Sequence, residues 1–202
     1  MPRIARSIFV EALRGGIVCG RFTQAYTWRE LYEFYRLTCP PVNTQPRCNI
    51  APTTTIDVVV PHEAGRDLMS MRWGLIPSWW KKTTKEVPST FNARVETVAS
   101  KPMFRAAFKR GRCLIPASGY YEWQPTLSGK QPYFISAADG SALSMAGLWD
   151  RWTDIETGDR VRLCTVIVTA ANLFAEREVC RSYPAKARNM RAQQPQRRML
   201  YA

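Results

Sequence analysis

The chain has 202 residues, of which 46% are hydrophobic and 22% charged, a composition typical of one globular domain. This composition excludes disordered, collagenous and coiled-coil proteins, and no uncharged apolar run is long enough for a transmembrane helix. Lys and Arg outnumber Asp and Glu by 29 to 16, and the net charge of +13 favours a polyanionic partner such as nucleic acid, although a basic surface can also serve solubility alone.

The first element expected along the chain is a helix that begins at Thr27. Thr27 and Glu30 have the spacing of a capping box, in which each side chain binds the other residue's backbone N–H. The apolar residues that follow have helical spacing, so the buried face of this helix would carry Leu31, Phe34 and Tyr35.

The rest of the chain is predicted to be mostly strands. A proline-rich loop covers residues 38–55, a loop with three lysines covers 76–88, and a second helix is expected around 103–110. Short strands with few helices indicate an α+β fold: a single domain with a curved, barrel-like, mostly antiparallel sheet flanked by short helices. The predicted strands are 56–60, ended by Pro61, and 68–75, 113–115, 119–123, 133–136, 142–149 and 162–169, with turns at Gly129 and Gly140.

Six cysteines and a single histidine, His62, limit the kinds of site that the chain can form. None of the cysteines forms a Cys-x-x-Cys pair, so a zinc site of the usual spacing is not expected. Because the chain is large and its N-terminus lacks a convincing secretory signal, a disulfide framework is not expected. A reducing cytoplasm is the expected compartment.

Short motifs follow one another along the chain between Cys19 and Asn172. They are Cys-Gly-Arg-Phe at 19–22, Asn-Ile-Ala-Pro at 49–52, Arg-Trp-Gly-Leu-Ile-Pro at 72–77, Asn-Ala-Arg-Val-Glu-Thr at 92–97, Cys-Leu-Ile-Pro-Ala at 113–117 with Gly-Tyr-Tyr-Glu-Trp at 119–123, and Val-Thr-Ala-Ala-Asn at 168–172. With these motifs in this order, the chain resembles the SRAP (SOS response-associated peptidase) family, whose members crosslink covalently to abasic sites in single-stranded DNA. The resemblance implies a DNA-damage response protein with an associated self-processing peptidase activity and no metal or organic cofactor.

Cys19 is expected to be the N-terminal residue of the active protein. Members of the family begin with Met-Cys-Gly-Arg-Phe and lose the methionine, whereas Val18 precedes the cysteine here. Residues 1–18 are therefore interpreted either as a start-site artefact, since a GUG start codon would be written as valine, or as a leader removed by self-cleavage. We expect the SRAP-like domain at 19–172, followed by a divergent basic tail at 173–202 that arose by a frameshift or by a genuine truncation.

A terminal cysteine suits the capture of an aldehyde because it carries two nucleophiles. Its α-amine has a pKa of about 7.7–8.0 and can form an imine with the opened abasic sugar, after which the thiol closes a thiazolidine ring. The resemblance implies that Asn92 hydrogen-bonds near the reacting groups and that Glu122 orients or deprotonates the amine. The family also carries a catalytic histidine after the last motif, which this chain lacks there, and His62 matches no family position.

A further set of residues is expected to bind DNA. The resemblance implies that Arg21 and Arg94 hold the phosphates beside the lesion and that Thr169 lies near the site. Trp79 and Trp80 offer faces on which unpaired bases can stack, next to the lysines at 81, 82 and 85, although at least one of the two tryptophans is expected in the core.

Two alternatives to covalent capture remain open at this point. One is a non-catalytic single-stranded DNA-binding remnant of the same family, which the missing histidine would allow. The other is a cysteine hydrolase that uses Cys19 as an internal thiol, which lacks a suitable histidine base. In the preferred interpretation the partner is single-stranded DNA with abasic sites, and the protein is a cytoplasmic, nucleoid-associated monomer that does not bind membranes.

Overall fold

The computed structural model describes residues 19–127, 129–169 and 180–184. This part of the chain forms two α-helices, one 3₁₀ turn and eleven strands. The helices are α1 (Trp28–Tyr35) and α2 (Pro102–Arg110), and the 3₁₀ turn is Thr84–Glu86. The strands are β1 (Phe22–Gln24), β2 (Arg47–Ile50), β3 (Thr55–His62), β4 (Gly65–Trp73), β5 (Asn92–Arg94), β6 (Arg112–Ala117), β7 (Gly119–Thr126), β8 (Gly129–Ala137), β9 (Leu143–Thr153), β10 (Arg160–Val168) and β11 (Cys180–Pro184).

Five strands close into a small barrel in the order β4-β3-β6-β9-β10. Its neighbouring strands are antiparallel except at the closure, where β10 runs parallel to β4 with Leu163 opposite Arg72. Further along the same edge of β10, β5 takes the place of β4 and places Asn92 opposite Val166. The closure therefore brings β5 directly to the rim of the barrel.

A second, fully antiparallel sheet has the order β11-β8-β7-β1-β2. Strand β1 lies between β2 and the central strand β7, and it pairs with β7 so that Phe22 lies opposite Tyr120. Phe22 also enters the main core, where its ring meets that of Trp73 edge-on at 4.9 Å between centroids. This contact joins the second sheet to the barrel, and the described residues form the α+β domain with a barrel-like sheet that the sequence predicts.

The helices cover different faces of the barrel. α2 packs Phe104 and Ala107 against Ala93 of β5 and Leu148 of β9. α1 begins with the predicted capping box, in which Thr27 and Glu30 exchange hydrogen bonds. Its buried residues are Leu31 and Tyr35, whereas Phe34 is 51% exposed, so the expectation that Phe34 faces the core is wrong.

Several boundaries differ from the expectations. Pro61 does not end β3, because the strand continues to His62 and pairs Pro61 with Arg66 across a hairpin. The proline-rich loop contains β2, and Cys180–Pro184 within the expected tail pairs with β8. The hypotheses on residues 1–18 and on the remainder of the tail lie outside the described residues.

Two kinds of structural feature are absent from the described residues. Within 19–127, 129–169 and 180–184, no helix is long and apolar enough to cross a membrane. Over the same ranges, no group of three or more His, Cys, Asp or Glu side chains is arranged to hold a metal ion.

Candidate functional site

Cys19 lies immediately before β1 and is held at the edge of the main core. Its side chain is only 3% exposed and packs with the residues that fill the barrel. The side-chain amide of Asn92 donates a hydrogen bond of 2.9 Å to the Cys19 carbonyl, and the Cys19 thiol points at the Arg21 carbonyl at 3.9 Å. Two of the three expected catalytic residues are therefore in direct contact.

Glu122 reaches the same place from β7. The Tyr121 N–H donates to the Arg21 carbonyl at 2.8 Å, which continues the β1–β7 pairing beyond Phe22. Extending this register by one more residue puts Glu122 across from Gly20, next to Cys19. The negative charge of Glu122 accordingly acts on the Cys19 thiol and helps to raise its pKa. The structure thus brings Cys19, Asn92 and Glu122 together.

Burial changes the acidity of both titratable groups at this site. Loss of solvent raises the pKa of the Cys19 thiol to about 12, and the nearby Glu122 carboxylate adds to this rise. Loss of solvent also raises the pKa of Glu122 from 4.5 to about 7. Near neutral pH the thiol is therefore protonated, while Glu122 is divided between its acid and carboxylate forms.

Two hydrogen-bond acceptors at the site are buried without a donor. Among the described residues, neither Oδ1 of Asn92 nor Oε1 of Glu122 has a hydrogen-bond partner. Leaving such an atom unpaired typically costs about 1–3 kcal/mol, so a buried pair of this kind requires an explanation. A group with several N–H or O–H donors, placed next to Cys19, would satisfy both acceptors.

The residues expected to bind DNA lie at the surface around Cys19, Asn92 and Glu122. Arg21 is partly buried and donates a hydrogen bond of 2.8 Å to Oδ1 of Asn49. Arg94 is exposed at the end of β5, opposite Val168. Thr169 follows β10 and donates to Glu96 at 3.3 Å, so its hydroxyl lies beside the turn that continues from Arg94.

The two tryptophans expected to stack on bases differ in exposure. Trp79 is 48% exposed, whereas Trp80 packs against the cluster that contains Leu163, and its indole N–H donates to the Thr83 carbonyl. Trp73 is fully buried, as expected. Leu163 precedes Val166, the partner of Asn92, by three residues, which is about 10 Å along a strand. Trp79 therefore offers the freer face within a few nucleotides of the site.

The remaining candidates lie elsewhere. His62 is at the tip of the β3–β4 hairpin, where its ring contacts Asp67 at 3.1 Å and Thr38 at 3.2 Å. A cavity of about 600 Å³ opens on the other face of β1, next to Thr23, with Tyr26 and Cys48 in its wall. Nothing in the sequence signalled this cavity, because its lining residues come from segments that are far apart in the sequence.

The fold and the site define an α+β barrel protein in which a buried cysteine lies beside a partly buried glutamate. Residues 18–178 match the family model of the SOS response associated peptidase (SRAP) family, and the chain belongs to this family. This match confirms the resemblance that the motifs indicate.

Individual proteins are similar to this chain in sequence or in fold. The abasic site processing protein YoqW of Bacillus subtilis is 33% identical over 162 residues, which cover 79% of this chain and 71% of YoqW. The abasic site processing protein YedK of Escherichia coli is 32% identical over 160 residues, or 77% of this chain and 69% of YedK. A crystal structure of a protein from Bacteroides thetaiotaomicron shares the fold, with a TM-score of 0.68, 23% identity, and coverage of 85% of this chain and 79% of that one.

Proposed function

We propose that this protein is an enzyme of the DNA-damage response that captures abasic sites in single-stranded DNA through Cys19 as its N-terminal residue. The observation that carries the proposal is the pair of unpartnered acceptors, Asn92 Oδ1 and Glu122 Oε1, buried beside Cys19. A free α-amino group on Cys19 has up to three N–H donors and would satisfy both. The names of the relatives, abasic site processing proteins, supply the substrate class.

The proposed reaction needs only the amine and the thiol of one residue. The amine adds to the aldehyde of the opened sugar and water leaves, which forms an imine. The thiol sulfur then adds to the imine carbon while its proton passes to the nitrogen, and the product is a thiazolidine that joins protein and DNA. A peptide bond to residue 18 turns the amine into an amide and prevents the first step, so the bond between residues 18 and 19 must be broken or absent.

Glu122 is suited to transfer protons in this reaction. While Cys19 is joined to residue 18 the pKa of Glu122 is about 7, close to the value of about 7.7–8.0 for an unperturbed α-amine, so a proton could pass between the two groups near neutral pH. As a carboxylate, Glu122 would accept a proton from the α-ammonium and release the nucleophile. As an acid, it would donate a proton to the departing hydroxyl during formation of the imine. The same residue is a candidate base for the self-processing step at residue 18.

Asn92 would hold the reacting residue in place. Its amide N–H already fixes the Cys19 carbonyl, so the direction of the Cys19 backbone is set from β5. Its free Oδ1 would accept a hydrogen bond from the amine or from a hydroxyl of the opened sugar.

The DNA on either side of the lesion would be held by a second set of residues. Arg21 and Arg94 would contact the flanking phosphates, and Thr169 would lie beside them. Trp79, with Trp80 behind it, would support a neighbouring base.

A cysteine hydrolase is disfavoured by the state of the thiol. Catalytic cysteines of that class act as thiolates with a lowered pKa, usually beside a histidine. The Cys19 pKa is raised instead, and His62 lies on a distant hairpin. The first step of thiazolidine formation does not need a thiolate, because the amine attacks the aldehyde before the thiol reacts.

The test compares crosslinking by four forms of the protein to single-stranded DNA with an abasic site. The form that begins at Cys19 should give a heat-stable adduct without borohydride, whereas a form with an uncleavable residue 18 should give none. Cys19→Ser should lose the stable adduct, and Cys48→Ser, which changes a partly buried cysteine of β2, should keep it. Equal crosslinking with the leader attached would refute the mechanism, and binding without any adduct would identify a non-catalytic DNA-binding protein.

Self-processing and assembly belong to the same proposal. Intact-mass measurement of the 202-residue chain should show loss of residues 1–18, and Glu122→Gln should retain them if self-cleavage removes the leader. We further propose that the protein acts as a monomer in the cytoplasm, associated with the nucleoid through its positive charge.

A further inference from the structure

Asn49 accepts a hydrogen bond from the guanidinium of Arg21 through its uncharged side-chain amide. Arg21 donates a hydrogen bond of 2.8 Å to Oδ1 of Asn49, and Asn49 itself is exposed on β2. The ion pairs found among the described residues join Arg29 to Glu33, His62 to Asp67 and Lys82 to Glu86. Within those residues, Arg21 therefore has an amide partner and keeps its positive charge uncompensated.

The main chain of Arg21 is fixed independently of Asn49. Its carbonyl accepts the Tyr121 N–H at 2.8 Å, which ties the residue to β7 next to the site. Two residues before Asn49 on the same strand, Arg47 donates to Oε1 of Gln24 at 2.8 Å. β2 therefore contacts β1 at both of its ends, on either side of the register shift between Phe22 and Gln24. The direction of the Arg21 side chain is thus the feature that Asn49 determines.

We propose that Asn49 is a positioning residue that aims Arg21 at a DNA phosphate while leaving its charge free, an inference that rests on the proposed contact between Arg21 and DNA. A guanidinium has five N–H donors, and one bond to an amide leaves the others for a phosphate. An aspartate at position 49 would form a charge-assisted pair with Arg21 and cancel the charge that the phosphate meets. The neutral acceptor orients the arginine without this competition.

The experiment measures how affinity depends on salt. The probe is a single-stranded oligonucleotide with a tetrahydrofuran analogue of the abasic site, which has no aldehyde and reports non-covalent binding only. Each phosphate contact to a single strand contributes about 0.7 to the slope of log affinity against log salt concentration. Arg21→Ala and Asn49→Asp should both lower the magnitude of this slope by about 0.7. Asn49→Ala should leave the slope unchanged and weaken binding by about 2- to 10-fold, the worth of one orienting hydrogen bond.

Asn43→Asp is the matched control. Asn43 is an exposed amide in the loop before β2 that accepts a hydrogen bond from Gln45 at 2.9 Å, so the change adds the same charge away from Arg21. If Asn49→Asp alters the slope no more than Asn43→Asp does, while Arg21→Ala still lowers it, the inference about Asn49 is refuted and the DNA contact stands. If Arg21→Ala leaves the slope unchanged, both the contact and the inference are refuted. Because positions 43 and 49 are exposed, thermal unfolding should show that all these variants remain folded.

Discussion

Replacing Glu122 with glutamine should stabilise the protein at alkaline pH. Burial raises the pKa of Glu122 from 4.5 to about 7, so the folded chain binds this proton more tightly than the unfolded chain does. The resulting stabilisation is complete below about pH 4.5 and is lost as the pH rises through about 7. Each pKa unit corresponds to about 1.36 kcal/mol, so ionised Glu122 lowers the free energy of unfolding by about 3 kcal/mol at pH 8. Glutamine has nearly the same shape and cannot ionise.

Urea unfolding at about pH 4.5 and about pH 8 measures this effect. The comparison is made in a Cys19→Ala background, with intact-mass measurement to show that the compared chains have the same N-terminus. Glu122→Gln should change stability little at the lower pH and raise it by up to about 3 kcal/mol at the higher one. Glu63→Gln, which alters an exposed carboxylate in the β3–β4 turn, is the control and should have little effect at either pH. If the free energy of unfolding depends on pH to the same extent in the Glu122→Gln variant and in its parent, the Glu122 carboxyl is not desolvated.

The Glu122→Gln variant also distinguishes the effect of Glu122 on stability from its proposed effect on the rate of capture. In a chain that begins at Cys19, the α-ammonium would favour the ionised form of Glu122, so the gain in stability from glutamine should be smaller. Capture of the abasic site by that chain should slow by about 10²–10⁴-fold, the usual worth of a general acid–base group. A variant that is more stable and still reacts at the full rate would contradict the proposed role of Glu122.

The remaining predictions concern DNA binding and the fold. Arg94→Ala should lower the salt slope by about 0.7, whereas Arg160→Ala, about 26 Å away at the other end of β10, should not. Trp79→Ala should weaken binding by about 1–3 kcal/mol if a base stacks there, and Trp80→Ala should mainly lower the melting temperature. Gly119→Ala should destabilise the fold by about 1–3 kcal/mol in urea unfolding, because its Cβ would lie 2.7 Å from the Ile135 carbonyl oxygen.

The long strands could be predicted from the sequence because they contain runs of apolar or alternating residues that end at turn signals. The strands β1 and β5 could not, since each has three residues and the whole of β1 is buried. Their place in the sheets depends on pairing with β7 and β10, which are distant in sequence. Two of the elements that position the site, β1 and β5, therefore have the weakest local signal, and the motifs located them where periodicity did not, whereas β7, which carries Glu122, was predicted as a strand.

The loop residues show a second limit of sequence reasoning. Trp79 and Trp80 are adjacent and chemically identical, and a loop has no periodicity that assigns one of them to the core. The difference arises from distant partners: the Trp152 indole N–H donates to the Trp80 carbonyl at 2.8 Å, and Trp80 packs beside Leu163. Asn49 was likewise visible in a motif, but its partner Arg21 is 28 positions away, and only the β1–β2 pairing brings them together.

The burial of Glu122 is hard to explain by stability alone. A cost of about 3 kcal/mol is a large part of the 5–15 kcal/mol that typically separates folded from unfolded proteins. Glutamine in its place would avoid this cost with little change in packing, so the requirements of the fold do not select the carboxylate. What distinguishes a carboxylate from an amide is its ability to exchange a proton, and the pKa of about 7 places that exchange near neutral pH. Since the charge of Glu122 acts on Cys19, this cost supports the proposed role of Glu122 as a proton-transfer group beside that residue.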